Sequence, residues 1–192
     1  MDRRELVKIM SVMVGGTIAL PESVFARIAE PLDITKAKFF TGKQRKLVAA
    51  IADCIIPKTD TPGAVEAGVP AWIEILVQDC LTPDDQKIIT DGLASLEADV
   101  KQKFNSSFAK LTVAQQIALL TEMEKAAKET EAKNRAAKIQ APRAFIRQFK
   151  ELTKFCFVNS EIGGTQAFEF IITPGRWDGA MDLKPGQKAY SF

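Results

Sequence analysis

Apolar residues recur three and four positions apart in one block of this chain after another, and most blocks are bounded by proline or by a threonine suited to capping a helix. That rhythm belongs to a helix face rather than a sheet face, so it restricts the fold to helices packed on helices. In Gln44 to Ile56 the positions Leu47, Ile51, Cys54 and Ile55 share one face, and Pro57 ends the run. Pro70 suits the first turn of a second helix, with Ile73, Leu76, Val77 and Cys80 as its buried stripe. Thr82 caps a third helix. Pro83 fits its first position, Asp84 and Asp85 suit its positive end, and Ile89, Leu93, Leu96, Val100 and Phe104 mark its inner face.

Thr112 and Gln115 have the spacing of a capping box, and Ile117, Leu120 and Met123 follow at steps of three. From Glu124 to Lys138 the chain turns into alanine, lysine and glutamate, which reads as a solvated helical extension or a mobile connection. Pro142 restarts a helix with Phe145, Phe149, Leu152 and either Phe155 or Cys156 facing inward. Only Phe168 to Ile172 offers a short strand. A chain of 192 residues, 46% of them hydrophobic, holds one domain with a real core. The expected fold is all-α: a helical domain of about five helices over residues 43–158, preceded by a linker at 27–42 and followed by an extended arm over 159–192.

The arm differs in kind. Five of the eleven glycines lie between Gly163 and Gly186, together with Pro174, Pro185 and Trp177, too apolar for a disordered linker and too irregular for a helix. It either wraps its own helices or lies along another chain. Arg176 and Trp177, between Gly175 and Gly179, are residue types that anchor interfaces. The turn sequence Asp60-Thr61-Pro62-Gly63 reverses the chain between two helices, with glycine permitting a positive φ, and such a fixed loop can also present a rigid edge to a partner.

At the other end, Arg3 and Arg4 precede Leu6 and Lys8 and then the uncharged run Ile9 to Leu20. A basic start before an apolar run too short to span a bilayer has the order of an export signal. The Arg-Arg-x-Leu-Val-Lys order resembles the twin-arginine consensus, whose route carries folded proteins. Residues 1–26 are therefore expected to be that signal, cleaved after Ala26 or retained, and the chain is expected in the periplasm.

The sequence contains no histidine. That excludes Ser-His and Cys-His dyads, histidine-ligated zinc and the Cys-x-x-Cys-His haem attachment. Cys54, Cys80 and Cys156 are too far apart for a metal or redox motif, and Cys54 and Cys80, on apolar faces, read as buried free thiols. A net charge of +2, evenly spread, does not indicate a nucleic-acid partner.

Two stretches carry a family resemblance. Ile51-Ala52-Asp53-Cys54-Ile55-Ile56-Pro57-Lys58-Thr59-Asp60-Thr61-Pro62-Gly63-Ala64 with Ala67-Gly68-Val69-Pro70, and later Lys150-Glu151-Leu152-Thr153, Ser160-Glu161-Ile162-Gly163, Gln166 and Pro174-Gly175-Arg176-Trp177-Asp178-Gly179, resemble the gluconate 2-dehydrogenase subunit 3 family. The chain departs from the family at Phe155-Cys156-Phe157-Val158-Asn159, where an aromatic Gly-Tyr-Phe-Thr-like stretch is common, and at Ala180, where many members carry cysteine. The resemblance implies a small, non-catalytic subunit without a cofactor of its own. It would export and support a large FAD-binding dehydrogenase of the glucose-methanol-choline type acting on a sugar or polyol, with a cytochrome c as a further partner. Membrane association would come only through the complex or a retained signal. Thr61, Pro62, Gly63, Cys156, Glu161, Gly163, Gln166, Gly175, Arg176, Trp177, Asp178 and Gly179 are the candidate interface residues. The competing readings are an independent enzyme using carboxylates and a periplasmic module binding a small ligand.

Overall fold

The computed structural model describes residues 38–172, 175, 180, 182 and 185–191. Arg3, Arg4, Leu6, Lys8 and Arg176 to Gly179 lie outside them. The described chain is all-α, with five α-helices and one two-stranded ladder.

Local chemistry sets each helix start. Helix α1 (Gly42–Ile55) opens on a full capping box, Thr41 accepting from the Gln44 amide while the Gln44 side chain accepts from the Thr41 amide. Helix α2 (Val69–Asp79) follows Gly68, whose φ of 70° is one that glycine adopts without strain, and carries Pro70 in its first turn. Helix α3 (Pro83–Phe104) is capped by Thr82, has Asp84 and Asp85 at its positive end, and stops at Asn105 with a φ of 50°. A 3-10 turn at Phe108–Lys110 leads to helix α4 (Val113–Ala136), opened by the Thr112–Gln115 capping box. Helix α5 (Phe145–Val158) begins three residues after Pro142 rather than at it.

Helix α5 is central. It packs against α1, α2, α3 and α4, and α1 in turn touches α2, α3, α4 and the 3-10 turn. Ile51, Ile73, Ile89, Leu96, Phe108 and Phe149 are fully buried in the shared core. Each such side chain contributes about 1.5–3 kcal/mol relative to exposure. Thr153 is equally buried, and its hydroxyl donates to the Phe149 carbonyl at 2.8 Å, so no polar group is stranded. Helices α3 and α5 cross closely at Gly92, where an added Cβ would lie 2.1 Å from the Phe145 ring.

Three expected inner positions face outward instead. Ile117 is 46% exposed because Gln116 takes the inner position, its amide nitrogen donating to the Phe108 carbonyl at 2.8 Å and its amide oxygen accepting from the Cys54 thiol at 3.2 Å. That polar bridge sets the rotation of α4, and Leu119, Leu120 and Ala127 form its buried face. Phe104 and Cys80 sit at helix C-termini and are exposed. On α5 Cys156 is buried and Phe155 exposed. After α5 a single π-helical turn, Gly163–Ala167, leads to Glu169–Phe170, which pair in parallel with Tyr190–Ser191.

Candidate functional site

The two stretches that carry the family resemblance form two chain reversals. The first, between α1 and α2, is closed by the Ala64 amide donating to the Ile56 carbonyl at 2.8 Å and by Thr59 and Thr61 bonding across the bend. Gly63 is buried, and a Cβ there would meet the Lys58 nitrogen at 2.7 Å and the Pro57 carbonyl carbon at 3.0 Å. The loop needs glycine for close backbone approach and not, as the turn sequence implied, for a positive φ; the left-handed residue is Gly68. Lys58 and Glu66 pair across the rim, and the hydrogen bond from Lys58 holds the Glu66 carboxyl below its usual range.

The second reversal follows α5. The Ser160 hydroxyl donates to the Phe157 carbonyl at 2.7 Å and accepts from the Gly163 amide at 3.0 Å, both buried. Gly163 has no room for a side chain: a Cβ would stand 2.0 Å from the Phe157 carbonyl oxygen. Phe168 then returns over Phe157, the rings 6.4 Å apart and edge to face. Lys188 donates to the Gln166 carbonyl at 2.6 Å, and the Glu169 amide to the Ala189 carbonyl at 2.9 Å, so the end of the arm fastens to its own beginning, which Phe168 lays on this domain.

A third feature has no signal in the sequence. Glu74, buried on α2, receives Arg45 Nε at 2.8 Å, Arg45 Nη2 at 2.9 Å and the Phe40 amide at 2.9 Å. Burial pushes the Glu74 carboxyl up, but these hydrogen bonds and the Arg45 charge outweigh it and leave it below the usual carboxylate range. With the Lys38 amide donating to Gln78 at 3.2 Å, the segment ahead of α1 is fastened to α2. Partners lying 29 and 34 residues apart follow no local spacing rule, which is why only the folded chain reveals them.

Among the candidate interface residues, Thr61, Pro62 and Gly63 stand together in the first reversal, and Glu161, Gly163 and Gln166 in the second. Glu161, Gln166 and Gly175 are exposed, and Thr61 and Pro62 half-buried. Gly63, Gly163 and Cys156 are buried within this chain. Burial pushes the Cys156 thiol up to about 12. Cys54 is half-buried, with its thiol raised by burial and then by Asp53, whereas Cys80 is exposed and not the buried thiol its apolar neighbours implied. The exposed large apolar side chains include Phe155, Phe170, Ile172 and Tyr190, at the end of α5 and on the arm.

Among the described residues no helix is long and apolar enough to cross a membrane, and no group of three or more cysteines and carboxylates is arranged to hold a metal ion. The architecture is that of a small all-α domain whose core hangs on two glycine-dependent reversals. The family model described as Gluconate 2-dehydrogenase subunit 3 matches residues 42–175, and the chain belongs to that family. The match runs from the first residue of α1 through both reversals, and it makes the chain a member of a family of dehydrogenase subunits. No curated protein and no solved structure matches the chain.

Proposed function

We propose that this chain is the non-catalytic small subunit that escorts, exports and supports an FAD-binding dehydrogenase of the glucose-methanol-choline type in the periplasm. The family match over residues 42–175 carries the reading. Two further observations support it. A sequence without histidine has lost the commonest general base, and its paired carboxylates Glu66, Glu74, Glu124 and Glu151 are engaged by lysine or arginine. Exposed Phe155, Phe170, Ile172 and Tyr190 give a helical domain an apolar surface suited to a partner protein.

The twin-arginine start at Arg3 and Arg4 supplies the export half of the proposal. A partner without its own signal would cross already folded with its flavin bound, and a cytochrome c would take the electrons onward. The test is co-expression with the large chain encoded beside it. Replacing Arg3 and Arg4 together by lysine, which keeps the charge but not the geometry a receptor reads, leaves both chains and the dehydrogenase activity in the cytoplasm. Periplasmic activity at the normal level in that double variant refutes the escort role. Flavin bound to, or dehydrogenase activity of, this chain alone refutes the non-catalytic one.

A further inference from the structure

A groove of about 630 Å3 is walled by the start of α1, the middle of α3 and the 3-10 turn at Phe108–Lys110. Leu47 and Leu93 form its floor and are almost fully buried, while Ala94 and Ala109 are exposed. The space exists because those two positions carry only a methyl group. Glu97 on α3 accepts from the Phe108 amide at 3.3 Å and so holds the turn that makes the third wall. The groove is built before anything enters it.

Its charges are of one sign. Lys43, Lys46 and Lys110 line it, and none of their ammonium groups has a carboxylate within 4.0 Å among the described residues. Two of the three stand where a helix resists them. Lys43 and Lys46 lie near the positive end of α1, whose first turn holds no acidic residue to offset them. By contrast α3 opens on Asp84 and Asp85, and Arg45, between the two lysines, is matched by Glu74 at 2.8 Å. The chain thus keeps uncompensated positive charge around an apolar floor, against its own local preference.

We infer that this groove seats an acidic segment of the large partner subunit, one leucine- or methionine-sized side chain entering over Leu47 and Leu93 while flanking carboxylates meet Lys43, Lys46 and Lys110. The inference rests on the partner-subunit reading and adds a charged contact to the apolar surface of α5 and the arm. Most of the wall apart from Leu47 and Leu93 is itself exposed, so a free small molecule would stay largely in water, whereas small-molecule sites bury about 70–90% of their ligand. A protein segment brings its own cover. A basic segment is repelled, and a purely apolar one strips water from three lysines without returning a counter-charge.

The test is the affinity of the full chain for the large chain encoded beside it, measured by biolayer interferometry at two salt concentrations. Affinity falls about tenfold or more between about 50 and 500 mM salt. The triple variant Lys43→Gln/Lys46→Gln/Lys110→Gln loses about thirtyfold or more at the lower salt, together with most of the salt dependence. Ala94→Trp fills the groove without changing charge and loses about tenfold or more. Both variants keep the melting temperature, because the lysines pair with no carboxylate here and Ala94 is exposed. The control Lys87→Gln/Lys125→Gln/Lys133→Gln makes the same change in net charge elsewhere and stays within about threefold of wild type.

Undiminished binding by either groove variant, or an equal loss in the control, overturns the assignment. So does saturable binding of dodecanoate to the chain alone that Ala94→Trp abolishes while affinity for the large chain stands. If the groove variants do not fold, acetylation of lysines in the wild-type protein decides. Lys43, Lys46 and Lys110 react at least about fivefold more slowly in the complex than in the free chain, and unchanged rates overturn the site. No complex between the two wild-type chains refutes the partner-subunit reading itself, and the groove assignment falls with it. A complex formed at full affinity by the triple variant refutes the groove alone.

Discussion

Replacing Gly163 by alanine isolates the chemistry of the second reversal in a single methyl group. The new Cβ would lie 2.0 Å from the Phe157 carbonyl oxygen and 2.9 Å from its carbon, and both are backbone atoms with no rotamer to retreat into. The turn must open, which breaks the bonds from Gly163 N to Ser160 Oγ at 3.0 Å and from Ser160 Oγ to the Phe157 carbonyl at 2.7 Å. Two buried hydrogen bonds at about 1 kcal/mol each, added to an overpacking cost of about 1–3 kcal/mol, give a loss of about 3–5 kcal/mol. For a chain of this size the melting temperature falls by about 10 °C. Urea unfolding followed by far-ultraviolet circular dichroism measures the loss directly. Gly42→Ala is the matched control, because no atom lies within 4 Å of its Cβ position in the first turn of α1, and it should be neutral or slightly stabilising. A Gly163→Ala protein within about 1 kcal/mol of wild type refutes the claim that close backbone approach, and not habit of the family, dictates glycine here.

The remaining expectations concern charge, thiols and the clamp on α2. Hydrogen bonds from Lys150 and Lys128 hold the Glu124 carboxyl at about 2, below its ordinary 4.5, so its stabilising effect is complete above the ordinary value and lost as pH falls through the lower one. Glu124→Gln should therefore flatten the acid limb of the stability curve between those values, and an unchanged limb would count against a stabilising role for these two lysine bonds. In native protein iodoacetamide should modify exposed Cys80 first, half-buried Cys54 slowly and buried Cys156 only on unfolding, as peptide mass mapping would show. Glu74→Ala removes the acceptor for the Phe40 amide, so hydrogen exchange at Phe40 should accelerate by at least about tenfold, and unchanged protection would mean that other contacts hold the segment.

Helix boundaries were legible where residues close together in the sequence do the work. Thr82, Thr112 and Pro70 act through their own side chains or rings, and each opens the helix that its position in the sequence implied. Helix rotation was less legible. On α4 the spacing of Ile117, Leu120 and Met123 pointed to one face, but a single buried amide, Gln116, turns the helix by one residue because its two partners, the Phe108 carbonyl and the Cys54 thiol, lie in other elements. Helix ends misled for a related reason. Phe104 and Cys80 continue the apolar stripe of their helices past the point where another helix is there to cover it. The site divides in the same way. Motif residues marked both reversals, yet whether Gly63, Gly163 and Cys156 face a partner or the core depends on backbone approach and burial, which no spacing encodes.

The parallel pairing of Glu169–Phe170 with Tyr190–Ser191 fastens two stretches of the arm side by side. Parallel strands cannot be joined by a tight hairpin, so this pairing requires a long connection. Lys188 to Gln166 is a second catch beside the ladder. A stretch paired in this way has surrendered freedom before any encounter, whereas a free tail surrenders it on contact. Cutting the chain after Pro185 would remove Lys188 and Tyr190–Ser191, and Glu169 and Phe170 would lose the partners that hold them.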